Sequence, residues 1–145
     1  MHIRRIFLDT APVIYFVEGH PVFAAAVEEI FQRLQRHEWT AVVSPITLAE
    51  CLVLPLQSKN KRLAELFRAA LVQGAGVEFC LIDDVAAEMA AELRARYRLT
   101  LADSMQVAVA LVNGCEAFLT NDEHLRRVQE IPVWLVSELE GKASE

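Results

Sequence analysis

IFLDTAPVIYFV, residues 6–17, carries the strongest structural signal in this sequence. Its apolar beginning ends at Asp9, and the residues that follow have the pattern of a helix, so the stretch predicts a buried strand leading into a helix. Asp9 is the only charged residue in the stretch. A buried carboxylate is costly unless it is paired, protonated or bound to a cation. The stretch therefore predicts a strand whose carboxyl end carries a functional acid.

The same alternation of strand and helix continues along the chain. Short apolar or β-branched runs predict strands over residues 3–8, 40–43, 77–82, 117–119 and 132–135. Helical periodicity covers residues 21–37, 45–55, 58–72, 84–97, 101–113 and 122–129. Ser44-Pro45 is typical of a helix start, and Gly74, Gly76 and Gly114 lie where helices should end. We therefore expect an α/β fold, a three-layer α/β/α sandwich around a mainly parallel sheet.

Length and composition favour a single domain over residues 1–140 followed by a short polar tail at 141–145. The chain has no run of 18 apolar residues and no small-residue cleavage site near its beginning, so we expect a cytoplasmic protein. Its three cysteines are widely spaced in apolar sequence, which predicts buried free thiols. Its four histidines lack zinc-site spacing, and a metal would therefore be bound by oxygen.

Three further acids share the isolation of Asp9 or its position after a strand. Glu50 is the only charged residue between Trp39 and Ser58, and Asp103 is the only one between Leu99 and Cys115. Asp122 follows a strand and two polar residues. Ligands of open parallel sheets bind outside the carboxyl ends of the strands, where Asp9 and Asp122 fall, and the helices that carry Glu50 and Asp103 can face that edge.

Each acid also has a structural alternative. Thr100-x-x-Asp103 and Thr120-x-x-Glu123 match a capping box, and Asp9 or Asp122 could cap a helix through its side chain. For Glu50 the alternative is an ordinary exposed stripe of its helix. If the four carboxylates converge, their mutual repulsion makes a hard, oxygen-binding cation the natural counter-charge.

The chain resembles the PIN-domain ribonucleases, and in particular the VapC-type toxins of toxin-antitoxin pairs. The resemblance covers roughly residues 3–138 and depends on FLDTAPVIYFVEGHP, SPITLAECLVLPL, LADSMQVAVALVNGCEAFLTND and the order Asp, Glu, Asp, Asp. It implies a PIN-like sandwich, hydrolysis of RNA with Mg²⁺ or Mn²⁺, a small antitoxin partner and a homodimer. By position it assigns catalysis and metal binding to Asp9, Glu50, Asp103 and Asp122, with Thr10, Thr120 and Asn121 as supporting polar neighbours.

The chain departs from this family at two positions. His124 stands where the family often carries a further acid, and Ser104 stands where it often carries Ala. Neither change removes one of the four acids, but the roles of Glu123 and His124 stay open: either side chain contributes to the site or remains in solvent.

The net charge of −6 is unusual for a protein that binds a polyanion. Four carboxylates binding two divalent cations would change the total to −6 + 4 = −2, so the distribution of charge matters more than its sum. Two clusters of basic residues could supply positive charge for RNA contacts, and the alternative for each is an ordinary solvated helix face. The first is Lys59, Lys61, Arg62 and Arg68, and the second is Arg94, Arg96 and Arg98.

Other functions are less consistent with the residues. A phosphatase with Asp9 as its nucleophile would need a second acid two residues on, where Ala11 stands. A receiver-type signalling domain would need paired early acids and a late lysine, which the chain lacks. A degenerate module that binds RNA or a partner without cleavage is the remaining alternative, and metal-dependent cleavage that is lost in Asp9→Asn would separate it from an enzyme.

Overall fold

In the computed structural model, which describes residues 3–139, five strands form one parallel sheet flanked by six helices. The strands are β1 (Arg5–Leu8), β2 (Thr40–Val43), β3 (Val77–Phe79), β4 (Ala117–Thr120) and β5 (Val133–Leu135). The helices are α1 (Thr10–Glu18), α2 (Ala24–Gln35), α3 (Pro45–Gln57), α4 (Lys61–Val72), α5 (Asp84–Tyr97) and α6 (Leu101–Val112). The polar tail predicted at 141–145 lies outside the described residues. No helix among residues 3–139 has the length and apolar character needed to cross a bilayer.

The sheet has the strand order β3-β2-β1-β4-β5, with β1 at its centre. Ile6 is opposite Ala41 of β2 on one side and Ala117 of β4 on the other. The chain builds outward from β1 through β2 and β3, and then crosses to the opposite side of β1 to form β4 and β5. This reversal creates a topological switch point between β1 and β4, which is where open α/β sheets bind their ligands.

Side chains alternate along the central strand and supply two cores. Ile6 and Leu8 face the core that packs against α1 to α4. Phe7 faces the other core, against α5 and α6, where its ring stacks on that of Phe118 with centroids 4.9 Å apart. Both faces of the sheet are therefore covered by helices, which confirms the predicted α/β/α sandwich.

Local signals set the helix ends. The Ser44 side chain accepts a hydrogen bond from the Ile46 amide at 3.0 Å, and Pro45 occupies the first turn of α3, as predicted. Gly114, just beyond α6, has a φ of 70°, a conformation that costs glycine little. Of the three thiols, Cys51 and Cys115 are buried and Cys80 is partly buried, and all three are free.

Three predicted helices and one predicted strand were wrong in extent. The segment 58–72 becomes helical only at Lys61, because the Asn60 side chain caps the helix by accepting a hydrogen bond from the Leu63 amide at 3.1 Å. The strand predicted over 77–82 ends at Phe79. The segment 21–37 becomes helical only at Ala24, because the His20 Nδ1 atom accepts hydrogen bonds from the Val22 and Phe23 amides and holds them in a turn. The segment 122–129 forms only a short 3-10 helix at Glu123–Arg127. Leu125 is its buried residue, and the extended backbone of Val128 (φ −70°, ψ 126°) ends the helical segment.

Candidate active site

The four predicted acids line one open cleft at the switch point. Asp9 follows β1, Asp122 lies just beyond β4, Glu50 is on α3 and Asp103 is in the first turn of α6. The cleft has a volume of about 600 Å³. Its other lining residues are Thr10, Ala11, Ile14, Tyr15, Thr120, Asn121, Glu123 and His124. The fold thus brings residues from four separate parts of the chain to one concave surface.

Asp9 is fixed by side chains from two other elements. The Thr120 hydroxyl donates to Asp9 Oδ2 at 2.8 Å, and the Gln106 amide lies 3.5 Å from Oδ1. The Asp9 side chain makes no capping hydrogen bond to α1, so the capping interpretation of this residue was wrong. Burial raises the pKa of Asp9 from its ordinary value of 3.8 to about 6, and the charge of Asp103 adds to the effect against the opposing hydrogen bonds.

Glu50 lies at the exposed rim of the cleft, on the face of α3 that turns toward α1. The hydroxyl of Thr10, the first residue of α1, donates to Glu50 Oε1 at 2.6 Å. This contact connects residues 40 positions apart in the sequence and restricts a side chain that would otherwise be free in solvent. The Glu50 carboxylate is therefore oriented while remaining accessible.

Asp103 occupies the beginning of α6, where the Thr100 hydroxyl accepts a hydrogen bond from the Asp103 amide at 3.1 Å. The predicted N-terminal cap at Thr100 is thereby confirmed. Burial is the largest cause of a raised pKa for the Asp103 carboxyl, and the charges of Asp122 and Glu50 raise it further. The acids of the cleft are thus close enough to disfavour one another's ionisation.

Asp122 combines a structural contact with a position in the cleft. Its Oδ1 atom accepts a hydrogen bond from the His124 amide at 2.9 Å, which confirms the predicted capping role. The capping box predicted from Thr120-x-x-Glu123 was wrong, because the Thr120 hydroxyl accepts instead from the Asp122 amide at 3.1 Å and donates to Asp9. Thr120 therefore connects the first and the last acid of the set.

Asn121 lines the cleft between Thr120 and Asp122 without contacting a carboxylate through a hydrogen bond. Its amide donates to the Tyr15 hydroxyl at 3.1 Å, and its Oδ1 atom accepts from the Ser137 amide at 3.4 Å. These bonds hold the segment after β4 against α1. Tyr15, which sequence reasoning did not single out, is thus part of the wall of the cleft.

None of the basic residues proposed for RNA contact is among those that line the cleft. Arg94 donates to the Leu99 carbonyl at 2.6 Å, and Arg96 pairs with Glu130 at 2.5 Å. Arg98 follows α5 with a φ of 56°. Lys59 lies in the connection between α3 and α4, and the others lie on α4: Lys61, Arg62 and Arg68. Contact of these residues with RNA stays a prediction for surfaces outside the cleft.

Sequence reasoning missed Gln106, a fully buried polar residue on α6. Its Nε2 atom donates to the Thr47 hydroxyl at 2.9 Å and faces Asp9, while its Oε1 atom accepts from the Ser44 hydroxyl. A buried amide survives only with such partners, so a glutamine within the apolar run of α6 was the available signal. Gln106 joins the helix of Asp103 to Asp9 and to the start of the helix that carries Glu50.

We expect Gln106→Leu to lower the free energy of unfolding by about 2 kcal/mol, because the buried Ser44 hydroxyl loses the acceptor of its proton and the buried Thr47 hydroxyl loses a donor. Urea denaturation in EDTA measures the change. Gln32→Leu, the same substitution at an exposed position of α2, is the matched control and should shift stability by less than about 0.5 kcal/mol. Equal effects of the two substitutions would show that the buried network contributes nothing specific.

The residues of the cleft suit a hard divalent cation. Carboxylate and hydroxyl oxygens dominate the donor set, and burial and mutual repulsion raise the pKa of both Asp9 and Asp103. A bound cation would relieve that repulsion, and oxygen ligands are those that Mg²⁺ prefers. Within the part of the chain that the structure describes, no three His, Cys, Asp or Glu side chains form a ready-made metal cluster.

Comparison with known proteins identifies the family. The model of the PIN domain matches residues 6–131. VapBC2 from Rickettsia felis, in a crystal structure with a promoter DNA fragment, has a TM-score of 0.70 at 16% identity, over 90% of this chain and 98% of the other. VapC20 from Mycobacterium tuberculosis, described as a toxin that cleaves the sarcin-ricin loop, gives 0.69 at 16% identity, over 88% and 99%. A toxin-antitoxin complex from Klebsiella pneumoniae gives 0.66 at 21% identity, over 90% and 97%.

At these identities the structural likeness establishes the fold alone. No curated protein sequence matches this chain significantly. The match to the family model, however, includes most of β1, all of β2 to β4, the three helix pairs between these strands and all four acids. The chain therefore belongs to the PIN domain family.

Proposed function

We propose that this chain is a Mg²⁺-dependent ribonuclease that hydrolyses RNA phosphodiester bonds and acts as the toxin of a toxin-antitoxin pair. The observation that carries the proposal is the position of Asp9, Glu50, Asp103 and Asp122 around one cleft at the switch point of the sheet. Membership of the PIN domain family supports it. An accidental cluster of carboxylates would not be expected at the edge where α/β folds bind ligands.

In this proposal the four acids bind one or two Mg²⁺ or Mn²⁺ ions. Bound Mg²⁺ supplies an activated water and stabilises the negative charge that develops on the phosphate. Thr120 holds the Asp9 carboxylate in one orientation, and Gln106 supports it from the interior. Preserving that orientation matters because the partners of metal ligands tune affinity and geometry.

Glu50 has a second part in this mechanism. Its carboxylate is exposed at the rim and is oriented by the Thr10 hydroxyl at 2.6 Å. It can therefore accept the proton of the attacking water in addition to binding the cation with the other three acids. The attack does not require a 2′-hydroxyl group of the substrate, and no Ser or Cys nucleophile is needed.

As a toxin of this kind, the chain forms a homodimer and binds a small antitoxin protein. Both assemblies are in the cytoplasm, where RNA is available. Support comes from the similar structures, because those from Rickettsia felis and Klebsiella pneumoniae are of toxins with their antitoxins. The antitoxin would bind at or near the acidic cleft. Co-expression with candidate antitoxins, followed by size-exclusion chromatography with light scattering, measures both assemblies.

Removal of metal tests the proposed reaction. We expect the purified chain to cleave a mixed RNA pool in Mg²⁺ or Mn²⁺, to lose that activity in EDTA, and to recover it when Mg²⁺ is restored in excess. Asp9→Asn should abolish cleavage in all conditions, whereas Asp84→Asn, at an exposed position of α5, should behave as wild type. Cleavage that persists in EDTA would contradict the metal mechanism, and binding of RNA without any cleavage would favour the degenerate module.

A further inference from the structure

His124 lies in the wall of the acidic cleft and is held from behind by Arg127. Both residues belong to the 3-10 helix Glu123–Arg127, in which side chains three positions apart are aligned. The Arg127 Nη2 atom is 3.1 Å from His124 Nδ1, and Nη1 donates to the Tyr97 carbonyl at 3.1 Å. The guanidinium is thus anchored to the end of α5 as well as to the imidazole.

This contact assigns the tautomer of the His124 ring. A guanidinium has only donors, so His124 Nδ1 must be the acceptor and carries no proton. The proton of the neutral imidazole is then on Nε2. A metal ligand needs a free ring lone pair, but Arg127 occupies the one on Nδ1 and the proton blocks the one on Nε2. His124 in this arrangement offers the cleft a hydrogen-bond donor.

The donor has no other assigned use. Among residues 3–139 no hydrogen-bond partner is found for His124 Nε2, and the side chain is exposed to an incoming ligand. Five of the residues around the cleft are carboxylates, which repel a phosphodiester and cannot donate to it when ionised. An RNA phosphate placed there therefore requires at least one donor from the protein, beyond whatever a cation provides.

We propose, on the basis of the ribonuclease function above, that His124 is a substrate-binding residue whose Nε2–H donates to a phosphate oxygen of the RNA. Arg127 is the positioning residue that keeps Nε2 protonated. The position that often carries a further acid in this family is thus used here for phosphate recognition. An acid at position 124 would repel a phosphate instead of donating a hydrogen bond to it.

The test compares four His124 variants in two assays. Steady-state cleavage of a single-stranded RNA of defined sequence gives kcat and KM. Electron paramagnetic resonance of Mn²⁺, measured without RNA, gives the affinity of the cleft for the metal. His124→Ala should raise KM by about tenfold, as expected for loss of a hydrogen bond to a charged group, with kcat and Mn²⁺ affinity nearly unchanged. His37→Asn, in the exposed turn before β2, is the control and should match wild type.

Two conservative variants distinguish the loss of a hydrogen-bond donor from the loss of side-chain volume. Glutamine carries an amide N–H at about the reach of the imidazole Nε2 atom, whereas asparagine reaches only about as far as Nδ1. We therefore expect His124→Gln to recover most of the wild-type KM and His124→Asn to remain close to His124→Ala. His124→Asp should strengthen Mn²⁺ binding and still fail to restore KM.

Several results would overturn the inference. An unchanged KM in His124→Ala, or a His124→Gln variant no better than His124→Ala, would exclude the donor role. Weaker Mn²⁺ binding in His124→Ala, by tenfold or so, would make His124 a metal ligand instead. If the wild-type chain cleaves RNA, these results exclude only the role of His124 and leave the proposed ribonuclease function intact. A wild-type chain that never cleaves RNA would remove the proposed function and this inference with it.

Discussion

Asp103→Asn is expected to reduce the rate of RNA cleavage by at least about 100-fold in saturating Mg²⁺, because loss of one ligand misplaces both the cation and the attacking water. The same loss is expected for Asp9→Asn, Glu50→Gln and Asp122→Asn. All four side chains line the cleft, and none can replace another because each comes from a different element. Initial rates on a defined RNA measure the effect.

Controls for these substitutions are acids outside the cleft. Asp84→Asn and Glu92→Gln change the same functional groups at exposed positions of α5 and should cleave within about twofold of wild type. Urea denaturation of every variant shows that each is folded under the assay conditions. Near wild-type turnover of Asp103→Asn in saturating Mg²⁺ would remove this residue from the proposed centre.

The second large effect is on stability without metal. Asp9→Asn is expected to raise the free energy of unfolding at pH 7.5 in EDTA by up to about 3 kcal/mol. Burial raises the pKa of Asp9 from 3.8 to about 6, a difference of roughly two units at about 1.4 kcal/mol each. Asn avoids the cost of burying the charge and can still accept the hydrogen bond from Thr120. Asp103→Asn should act in the same direction, since the pKa of Asp103 is also raised.

The pH dependence follows from the sign of that shift. Folded Asp9 binds its proton more tightly than the unfolded chain does, so the contribution of this group to stability is complete below pH 3.8 and is lost as the pH rises through about 6. The advantage of Asp9→Asn over wild type should therefore be small at pH 4 and large at pH 7.5. Urea denaturation at both pH values, with Asp84→Asn as the control, measures it.

Magnesium should reverse the order. A ligand at 1,000 times its dissociation constant stabilises the folded state by about 4.1 kcal/mol, which exceeds the expected advantage of about 3 kcal/mol for Asp9→Asn, and the variant should gain much less than wild type. A variant that is less stable than wild type in EDTA at pH 7.5 would contradict the buried, uncompensated carboxylate that the geometry of Asp9 implies.

The fold was predictable because its signals are local and agree with one another. The apolar run ending at Asp9 gave β1, and the β-branched run at residues 40–43 gave β2 with the observed bounds. The alternation of strands and helices was sufficient to predict a parallel sheet with helices on both faces. The strand order, with β1 between β2 and β4, could not be predicted from these signals, because it depends on which side each crossover packs.

The site was predictable only in part. Four acids stood out because charge within apolar sequence is costly, and the fold places all of them on one cleft. Gln106 did not stand out, since an uncharged polar residue in a helix is common and its partners, Ser44 and Thr47, are about 60 residues away. Charge clustering alone could not show that Arg94 and Arg96 are bound to groups of the protein itself, because their partners, the Leu99 carbonyl and Glu130, are identified only in the structure.

Whether the four acids form one metal centre can be measured by a Mn²⁺ titration followed by electron paramagnetic resonance. We expect saturable Mn²⁺ binding by the wild-type chain and by Asp84→Asn. Asp9→Asn, Glu50→Gln, Asp103→Asn and Asp122→Asn should each bind Mn²⁺ at least about tenfold more weakly. Equal Mn²⁺ affinity in wild type and all four variants, or no saturable binding by wild type, would contradict the account.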